Sequence, residues 1–197
     1  GLATLTRSDE TPPAFTLRGE TELLEHARTG IDGAHENLLV AIQPAEAALL
    51  AESLQQASAR GVRVTTLCLA GCERECGACQ GDIYRLKVAP GDGTRSLLLV
   101  IDQREALIGQ FEDTAIQGVA TAQRPVIELA GAYIRQSVTL ALLGDELGER
   151  IEGLVSHRTR QALDRLYPGG DFLAHIRSLG KLASAGVQRK TGSRLKE

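Results

Sequence analysis

One stretch of the chain, residues 38–68, has the pattern of a strand, a helix and a second strand in succession. The apolar run 38–42 is typical of a strand that is buried on both faces. Residues 45–60 repeat apolar side chains at helical spacing, and residues 62–68 are rich in β-branched side chains. Two strands joined through a helix lie parallel with a right-handed crossover, so the chain is predicted to be an α/β protein.

Further elements are predicted on both sides of this unit. A helix is expected over residues 20–35, where Leu24, Ala27 and Ile31 recur on one face. Further strands are expected over residues 82–88, 95–102, 105–111 and 115–121, and a helical period returns from Pro125. Because residues 95–102 and 105–111 are separated by a short turn, they are predicted to pair antiparallel. The fold class is therefore a mixed sheet flanked by helices.

The domain boundaries are predicted from composition. Residues 1–18 are polar and contain adjacent prolines, which favours a linker or tail. Residues 19–167 are expected to form one domain, in which the apolar repeat between residues 147 and 166 packs internally, with a dimer seam as the alternative. Residues 168–197 are predicted to be a short helical, basic extension, read as a solvated tail, with contact to nucleic acid as the alternative.

Composition and charge narrow the class of function. The chain of 197 residues has 43% hydrophobic residues and a formal net charge of −3, which disfavours a whole-surface nucleic-acid binder. Its aromatic content of 3% leaves few stacking surfaces for single-stranded nucleic acid. No apolar run approaches the roughly 20 residues of a membrane span, and no signal-peptide pattern begins the chain. We therefore expect a cytoplasmic protein without membrane contact.

All four cysteines of the chain fall in one short, glycine-containing loop, at Cys68, Cys72, Cys76 and Cys79. The loop follows the second strand of the parallel unit, at the sheet edge where open α/β sheets hold ligands. A reducing cytosol disfavours structural disulfides, so clustered thiols indicate metal binding or redox chemistry.

Four thiolates that converge through tight glycine turns favour a tetrahedral zinc site, which is the cofactor we predict first. Redox-active thiols, with Arg74 lowering a thiol pKa, and an iron–sulfur cluster are the alternatives. The spacing of Cys72, Cys76 and Cys79 also matches that of radical S-adenosylmethionine enzymes, whose barrel is several strands longer than this chain can supply. In the simplest alternative, Cys68 is a buried strand residue and the other three are surface thiols.

Three stretches carry a family resemblance: the helix in residues 19–34, the sequence Ala-Arg-Gly-Val-Arg-Val at 59–64, and the strand, turn and strand of 98–109. In this order they resemble the carboxyl-terminal effector domain of TrmB-like transcriptional regulators, which is itself similar to the phospholipase D fold. The resemblance covers residues 17–150. It implies a sensory domain that binds a small-molecule effector, a homodimer, and DNA contact through a winged-helix domain that is not present in this chain.

The phospholipase D motif bears on catalysis. Such enzymes use His-x-Lys and a later Asp, with the histidine as nucleophile and the lysine stabilising developing charge. Aligning Asp102 on the aspartate places Arg95 at the histidine and Leu97 at the lysine. This comparison predicts that the chain is not an enzyme. The histidines lie in predicted helices or at their edges, where exposed or capping roles are expected: His26, His35, His157 and His175.

The sequence thus predicts a non-enzymatic effector-binding domain of a transcription regulator with a cysteine-rich metal or redox loop. The ligand pocket is expected at the carboxyl ends of the strands, near Gln43, Arg95 and Asp102. The alternative function is that of a metal- or thiol-dependent enzyme acting on a small substrate.

Overall fold

The computed structural model describes residues 13–69, 77–86, 95–112, 114–147 and 150–166. Within these ranges seven strands form one sheet, in the order β1-β7-β6-β5-β2-β3-β4. The strands are β1 Ala14–Arg18, β2 Asn37–Ile42, β3 Arg63–Cys68, β4 Asp82–Arg85, β5 Arg95–Ile101, β6 Glu105–Phe111 and β7 Ile116–Thr121. The helices are α1 Glu20–Asp32, α2 Pro44–Ala59, α3 Arg124–Leu147, α4 Ile151–Leu154 and α5 His157–Leu166.

The predicted unit of strand, helix and strand is confirmed. Strands β2 and β3 pair in parallel, with Leu38 opposite Val64, and α2 connects them. Pro44 begins α2 at a position that needs no backbone N–H. Gly61 follows the end of α2 with a φ of 89°, a left-handed conformation that glycine adopts without steric cost.

The predicted antiparallel hairpin is also confirmed. Strands β5 and β6 pair from Arg95 with Phe111 to Ile101 with Glu105. Strand β5 pairs antiparallel with β2 on its other side, so it joins the parallel strands to the antiparallel ones. The sheet is therefore mixed, as expected.

The hydrophobic core lies in two layers, one on each face of the sheet. Alternate residues of β2 point to opposite faces, so Leu38 and Val40 enter one layer and Ala41 enters the other. Helices α1 and α2 cover the first layer, and α3 covers the second. The first layer includes Leu23, Ile31, Leu50, Leu54, Leu97, Leu99 and Leu107, and the second includes Leu67, Val100, Ala106, Ile127 and Ile134.

A glycine notch lets α1 approach the sheet closely. Gly109 of β6 and Gly118 of β7 lie opposite each other. A Cβ atom at Gly109 would lie 2.7 Å from Leu23 Cδ2, and one at Gly118 would lie 2.6 Å from Leu23 Cδ1. Leu23 is completely buried. The fully buried leucine of α1 therefore occupies space that side chains at these two positions would fill.

The linker predicted for residues 1–18 is wrong over its last five residues. Residues 14–18 form β1, an edge strand that pairs antiparallel with β7. Leu17 is its only buried residue, so the segment lacks the alternating apolar pattern by which a strand is recognised. Residues 1–12 lie outside the described residues, as do residues 87–88 of the strand predicted over 82–88, which is observed as β4.

The internal packing predicted for residues 147–166 is also wrong within the described part of the chain. Helix α5 has no buried residue, and Leu154 and Leu166 are 68% and 71% exposed. Helical periodicity identifies an apolar face but not what covers it, which explains the error. The predicted extension 168–197 and His175 lie outside the described residues.

Helix α3 is the one helix among the described residues that is long and apolar enough to cross a membrane by length and composition. Core helices of soluble proteins satisfy the same criterion. Here Ile127 and Ile134 of α3 pack against the second core layer.

Candidate functional site at the carboxyl edge of the sheet

Three chain segments meet where the parallel strands end. Strand β2 ends at Ile42, and β5, which runs the other way, begins beside it at Arg95. Helix α2 starts at the same edge, directly after Gln43, whose carbonyl accepts the amide of Ala47 at 2.9 Å. The topology therefore places Gln43 and Arg95 at one edge, as predicted, together with the first turn of α2.

Glu46, in that first turn, is a buried acid with one paired oxygen. Its Oε1 atom lies 3.1 Å from Arg95 Nη1, and the Glu46 side chain is only 2% exposed whereas that of Arg95 is 44% exposed. Its Oε2 atom is buried and has no hydrogen-bond partner among the described residues. Buried carboxyl groups are usually hydrogen-bonded, so this oxygen has unused hydrogen-bonding capacity at the edge of the sheet.

The electrostatics of this edge favour the neutral form of Glu46. Burial raises the pKa of the Glu46 carboxyl group, against the opposing effects of its own backbone amide and of Arg95. The charge of Glu20, at the start of α1, raises the pKa further. Arg95 in turn lies over the ring of Phe111, with the guanidinium carbon 5.8 Å from the ring centroid, which is the distance of a cation–π contact.

Asp102, the third residue of the predicted pocket, lies at the opposite edge of the sheet. It follows Ile101, which pairs with Leu38 at the start of β2. Its carboxylate accepts three backbone amides, those of His35 at 2.9 Å, Glu36 at 2.8 Å and Asn37 at 2.9 Å. The structure therefore does not bring Asp102 together with Gln43 and Arg95, because the length of β5 separates them.

The hydrogen bonds that Asp102 accepts determine the direction in which its pKa is shifted. Burial raises the pKa of this carboxyl group, but the amides of Asn37, His35 and Glu36 outweigh that effect, and the net pKa is lowered. Asp102 thus ties the β5–β6 turn to the segment before β2.

Sequence reasoning missed Glu46, although a signal was present. Residues 46, 50 and 54 lie on one face of α2, and the other two are the buried Leu50 and Leu54. An acid at helical spacing with two core leucines is expected to be buried, and a buried acid indicates a functional site more often than an exposed one does.

The two described cysteines are both buried on one side of the sheet. Cys68 is 1% and Cys79 9% exposed. Cys79 packs in the core layer that contains Val64, and strand alternation places Cys68 on the same face of β3 as Val64. No group of three metal-ligating side chains occurs among the described residues. Cys72 and Cys76 lie outside those residues, so the four-cysteine site stays a prediction.

The described histidines lie in or beside helices, as expected. The Nε2 atom of His26 lies 2.6 Å from Oε1 of Glu105, which links α1 to the start of β6. His157 contacts Gln161 one turn later in α5. Leu97, which takes the place of the motif lysine, is completely buried in the first core layer.

Comparison with known proteins identifies the fold. No protein-family model and no curated protein matches the sequence. NucT from Helicobacter pylori superposes with a TM-score of 0.51 at 15% identity, over 65% of this chain and 96% of NucT. Nuc from Salmonella typhimurium, a phospholipase D family member, superposes with a TM-score of 0.50 at 11% identity, over 64% of this chain and 93% of Nuc.

A third similar structure is TrmBL2, described as an archaeal chromatin protein with a novel mode of DNA binding. The TM-score is 0.48 at 16% identity, over 66% of this chain, which spans about half of TrmBL2 (54%). The predicted phospholipase D-like fold is confirmed by NucT and Nuc, and the more specific resemblance to TrmB-like regulators stays a prediction.

The same comparison contradicts the prediction that this chain is not an enzyme. Nuc, a phospholipase D family member, shares its fold. The prediction was drawn from Arg95 and Leu97, which occupy two positions of one motif and do not describe the other groups at the carboxyl edge. We therefore withdraw it.

Proposed function

We propose that this chain is the effector-binding domain of a transcription regulator and that a small polar molecule binds at the carboxyl edge, beside Glu46 and Arg95. The observation that carries the proposal is the buried Oε2 atom of Glu46, which lacks a hydrogen-bond partner among the described residues. Leaving a buried acceptor unsatisfied costs roughly 1–3 kcal/mol. A ligand that donates a hydrogen bond to this oxygen, or accepts one from it when the carboxyl group is protonated, recovers that free energy on binding.

The neighbouring groups define the kind of ligand. Arg95 is 44% exposed and keeps further N–H donors beyond its bond to Glu46. The side chain of Gln43 can donate and accept, and makes no capping hydrogen bond to α2. A molecule with a hydroxyl or amino group beside an acceptor oxygen therefore complements this edge. Its location supports the proposal, since open α/β sheets bind ligands at the carboxyl ends of their strands.

The binding proposal is tested by calorimetry with a panel of polyols, amino acids and polyamines on the wild-type chain, E46Q and R95Q. For any molecule that binds, we expect each substitution to weaken binding by roughly tenfold or more, because a hydrogen bond to a charged or buried group is lost. The matched control is E52Q, on the exposed side of the same helix. Unchanged affinity in E46Q and R95Q contradicts the proposed site, and turnover of the bound molecule assigns the site a catalytic role.

The regulatory part of the proposal is supported by the resemblance of residues 17–150 to TrmB-like regulators. It implies a dimer and a DNA-binding winged helix elsewhere in the regulator. The test is DNA binding by the complete regulator with and without the effector, together with its mass in solution. An effector that binds the domain without changing DNA binding contradicts the regulatory role.

We also propose that the cysteine loop binds zinc through Cys68, Cys72, Cys76 and Cys79. The burial of Cys68 and Cys79 on the same side of the sheet supports convergence of the loop. Metal analysis of the purified chain is expected to find one zinc per chain, and C76S is expected to lose it and to unfold at a lower temperature. Iron in the purified chain together with a brown colour favours an iron–sulfur cluster. Metal-free protein whose stability changes between oxidising and reducing buffer favours redox-active thiols. C68S tests whether the strand cysteine belongs to the set.

A further inference from the structure

A cavity opens at the amino edge of the sheet, at the opposite edge from Glu46 and Arg95. It has a volume of about 500 Å³ and lies where β2, β3 and β4 begin, beside the β5–β6 turn and α3. Its polar lining includes Asn37, Arg63, Thr65, Asp82, Gln103 and Arg135. An inference about this cavity does not rest on the proposed function, because no residue is shared between the two sites.

Two arginines without partners line this cavity. Among the described residues, neither Arg63 nor Arg135 has an ion pair or a side-chain hydrogen bond. Asp82 lines the same cavity and forms no ion pair with either of them. Two guanidinium groups that face one cavity repel each other, and an anion between them removes that repulsion and gains charge-assisted hydrogen bonds.

The guanidinium group of Arg135 lies over a glycine one turn earlier in α3. A Cβ atom at Gly131 would lie 3.0 Å from Nη1 of Arg135. Long side chains in helices point back towards the preceding turn, so the guanidinium covers this buried glycine. Gly131 thus allows the charged group to lie against the sheet-facing side of α3, at the wall of the cavity.

The turn that carries Gln103 is conformationally costly. Asp102 and Gln103 have φ angles of 48° and 54°, and the Arg104 amide bonds to the Ile101 carbonyl at 2.9 Å. Glycine, asparagine and aspartate are the residues that favour these positions, and glutamine there costs roughly 1 kcal/mol. A residue that is held in an unfavourable conformation and lines a cavity is a sign of function.

We propose that this cavity binds a small molecule through a doubly charged oxyanion, either a phosphate ester or a dicarboxylate. Arg63 and Arg135 neutralise the anion, and the side chains of Asn37, Thr65 and Gln103 supply neutral hydrogen-bond donors. The volume is within the range of small-molecule pockets, which is roughly 300–1,000 Å³. Asp82 disfavours further negative charge, so it faces a neutral or cationic part of the ligand.

The test is calorimetry on the whole chain at constant ionic strength, with inorganic phosphate and succinate as the two probes. Saturable binding of one or both is expected, and the preferred probe identifies the source of the oxyanion. R63Q and R135Q are each expected to weaken binding by roughly tenfold, since each removes a charge-assisted hydrogen bond. The matched control is R124Q. Arg124 lies in the same helix, does not line the cavity, and has its Nε atom 2.7 Å from Oε1 of Glu128. E46Q should bind both probes as the wild type does, which separates this site from the carboxyl edge.

Absence of saturable binding with both probes overturns the proposal. Equal loss of affinity in R124Q overturns it as well, because the binding then reflects overall charge. Wild-type affinity in both R63Q and R135Q has the same consequence. If duplex DNA competes with both probes and binds more tightly than they do, the cavity belongs to a nucleic-acid surface rather than to a small-molecule site. Arg63, Arg124 and Arg135 are all exposed, and circular dichroism confirms that the variants remain folded.

Discussion

Each of the two edges of the sheet has a carboxyl group near an end of β5. The two groups differ in their hydrogen bonding, and their pKa values are shifted in opposite directions. At the amino edge, Asp102 accepts three backbone amides, which outweigh the effect of burial and lower its pKa. At the carboxyl edge, Glu46 is more deeply buried, has one paired oxygen and one without a partner among the described residues, and its pKa is raised. A carboxyl group whose hydrogen-bonding capacity is fully used within the chain stabilises the fold. A carboxyl group with an oxygen that has no partner in the chain can still form a hydrogen bond with a ligand.

The largest effect that tests this comparison is expected for D102A. The variant removes the charged acceptor of the His35, Glu36 and Asn37 amides, two of which are exposed to water, and we expect the free energy of unfolding to fall by about 1–2 kcal/mol. Because the folded-state pKa of Asp102 is lowered, its contribution is present above the unfolded pKa and is lost as the pH falls through the folded value. Urea denaturation at neutral and acidic pH should therefore show the two proteins converging in acid.

The control for this measurement is D32A, at the exposed end of α1, which should change the free energy of unfolding by no more than about 0.5 kcal/mol. A D102A protein that is as stable as the wild type at neutral pH would show that water replaces the carboxylate at these amides.

A smaller effect of opposite sign is expected for E46L. The substitution removes a buried carboxyl group of similar size, and we expect the free energy of unfolding at neutral pH to rise by about 1 kcal/mol. Arg95 is 44% exposed and remains hydrated without its partner. Because the folded-state pKa of Glu46 is raised, the favourable contribution of the protonated acid is present below the unfolded pKa and is lost as the pH rises through the folded value.

The stability advantage of E46L over the wild type should therefore grow as the pH rises, whereas D102A becomes less stable than the wild type as the pH rises. Denaturation curves of E46L, E52L and the wild type across this range measure it. Loss of stability in E46L at neutral pH would mean that the ion pair with Arg95 contributes more than the burial of Glu46 costs.

The smallest effect is expected at Gln103. Q103G relieves the left-handed conformation at a φ of 54°, and we expect a gain of about 0.5 kcal/mol in the free energy of unfolding. Q103N is the control, since asparagine tolerates this conformation and keeps an amide group. Chemical denaturation of the three proteins checks the order. Destabilisation by Q103G would indicate that the glutamine side chain stabilises the turn of the free protein.

The central strands could be predicted because their sequences carry strong local signals. The runs of β2 and β5 are continuous and apolar, and α2 repeats at helical spacing. The placement of Asp102 could have been predicted too, because a seven-residue strand at about 3.3 Å per residue separates its two ends by roughly 20 Å. Strand β1 could not, since only Leu17 is buried and its partner β7 is distant in sequence.

The candidate site was predicted only in part. Gln43 and Arg95 follow from the positions of β2 and β5, but Glu46 was hidden in a stripe of core residues. Glu46 forms its ion pair with Arg95, which begins β5 and lies far from Glu46 in the sequence. That information is in the tertiary arrangement and not in any local pattern.

The notch between Gly109 and Gly118 has a consequence for the alignment of β6 with β7. A one-residue slip between β6 and β7 turns the core side chains of one strand to the wrong face. A two-residue slip keeps the faces but sets Leu107 or Phe111 where Gly109 lies, and Leu23 then has no space. Helix α1 can therefore dock fully on one alignment of this hairpin only. Leu23 and the two glycines thus help to specify the register of β6 and β7.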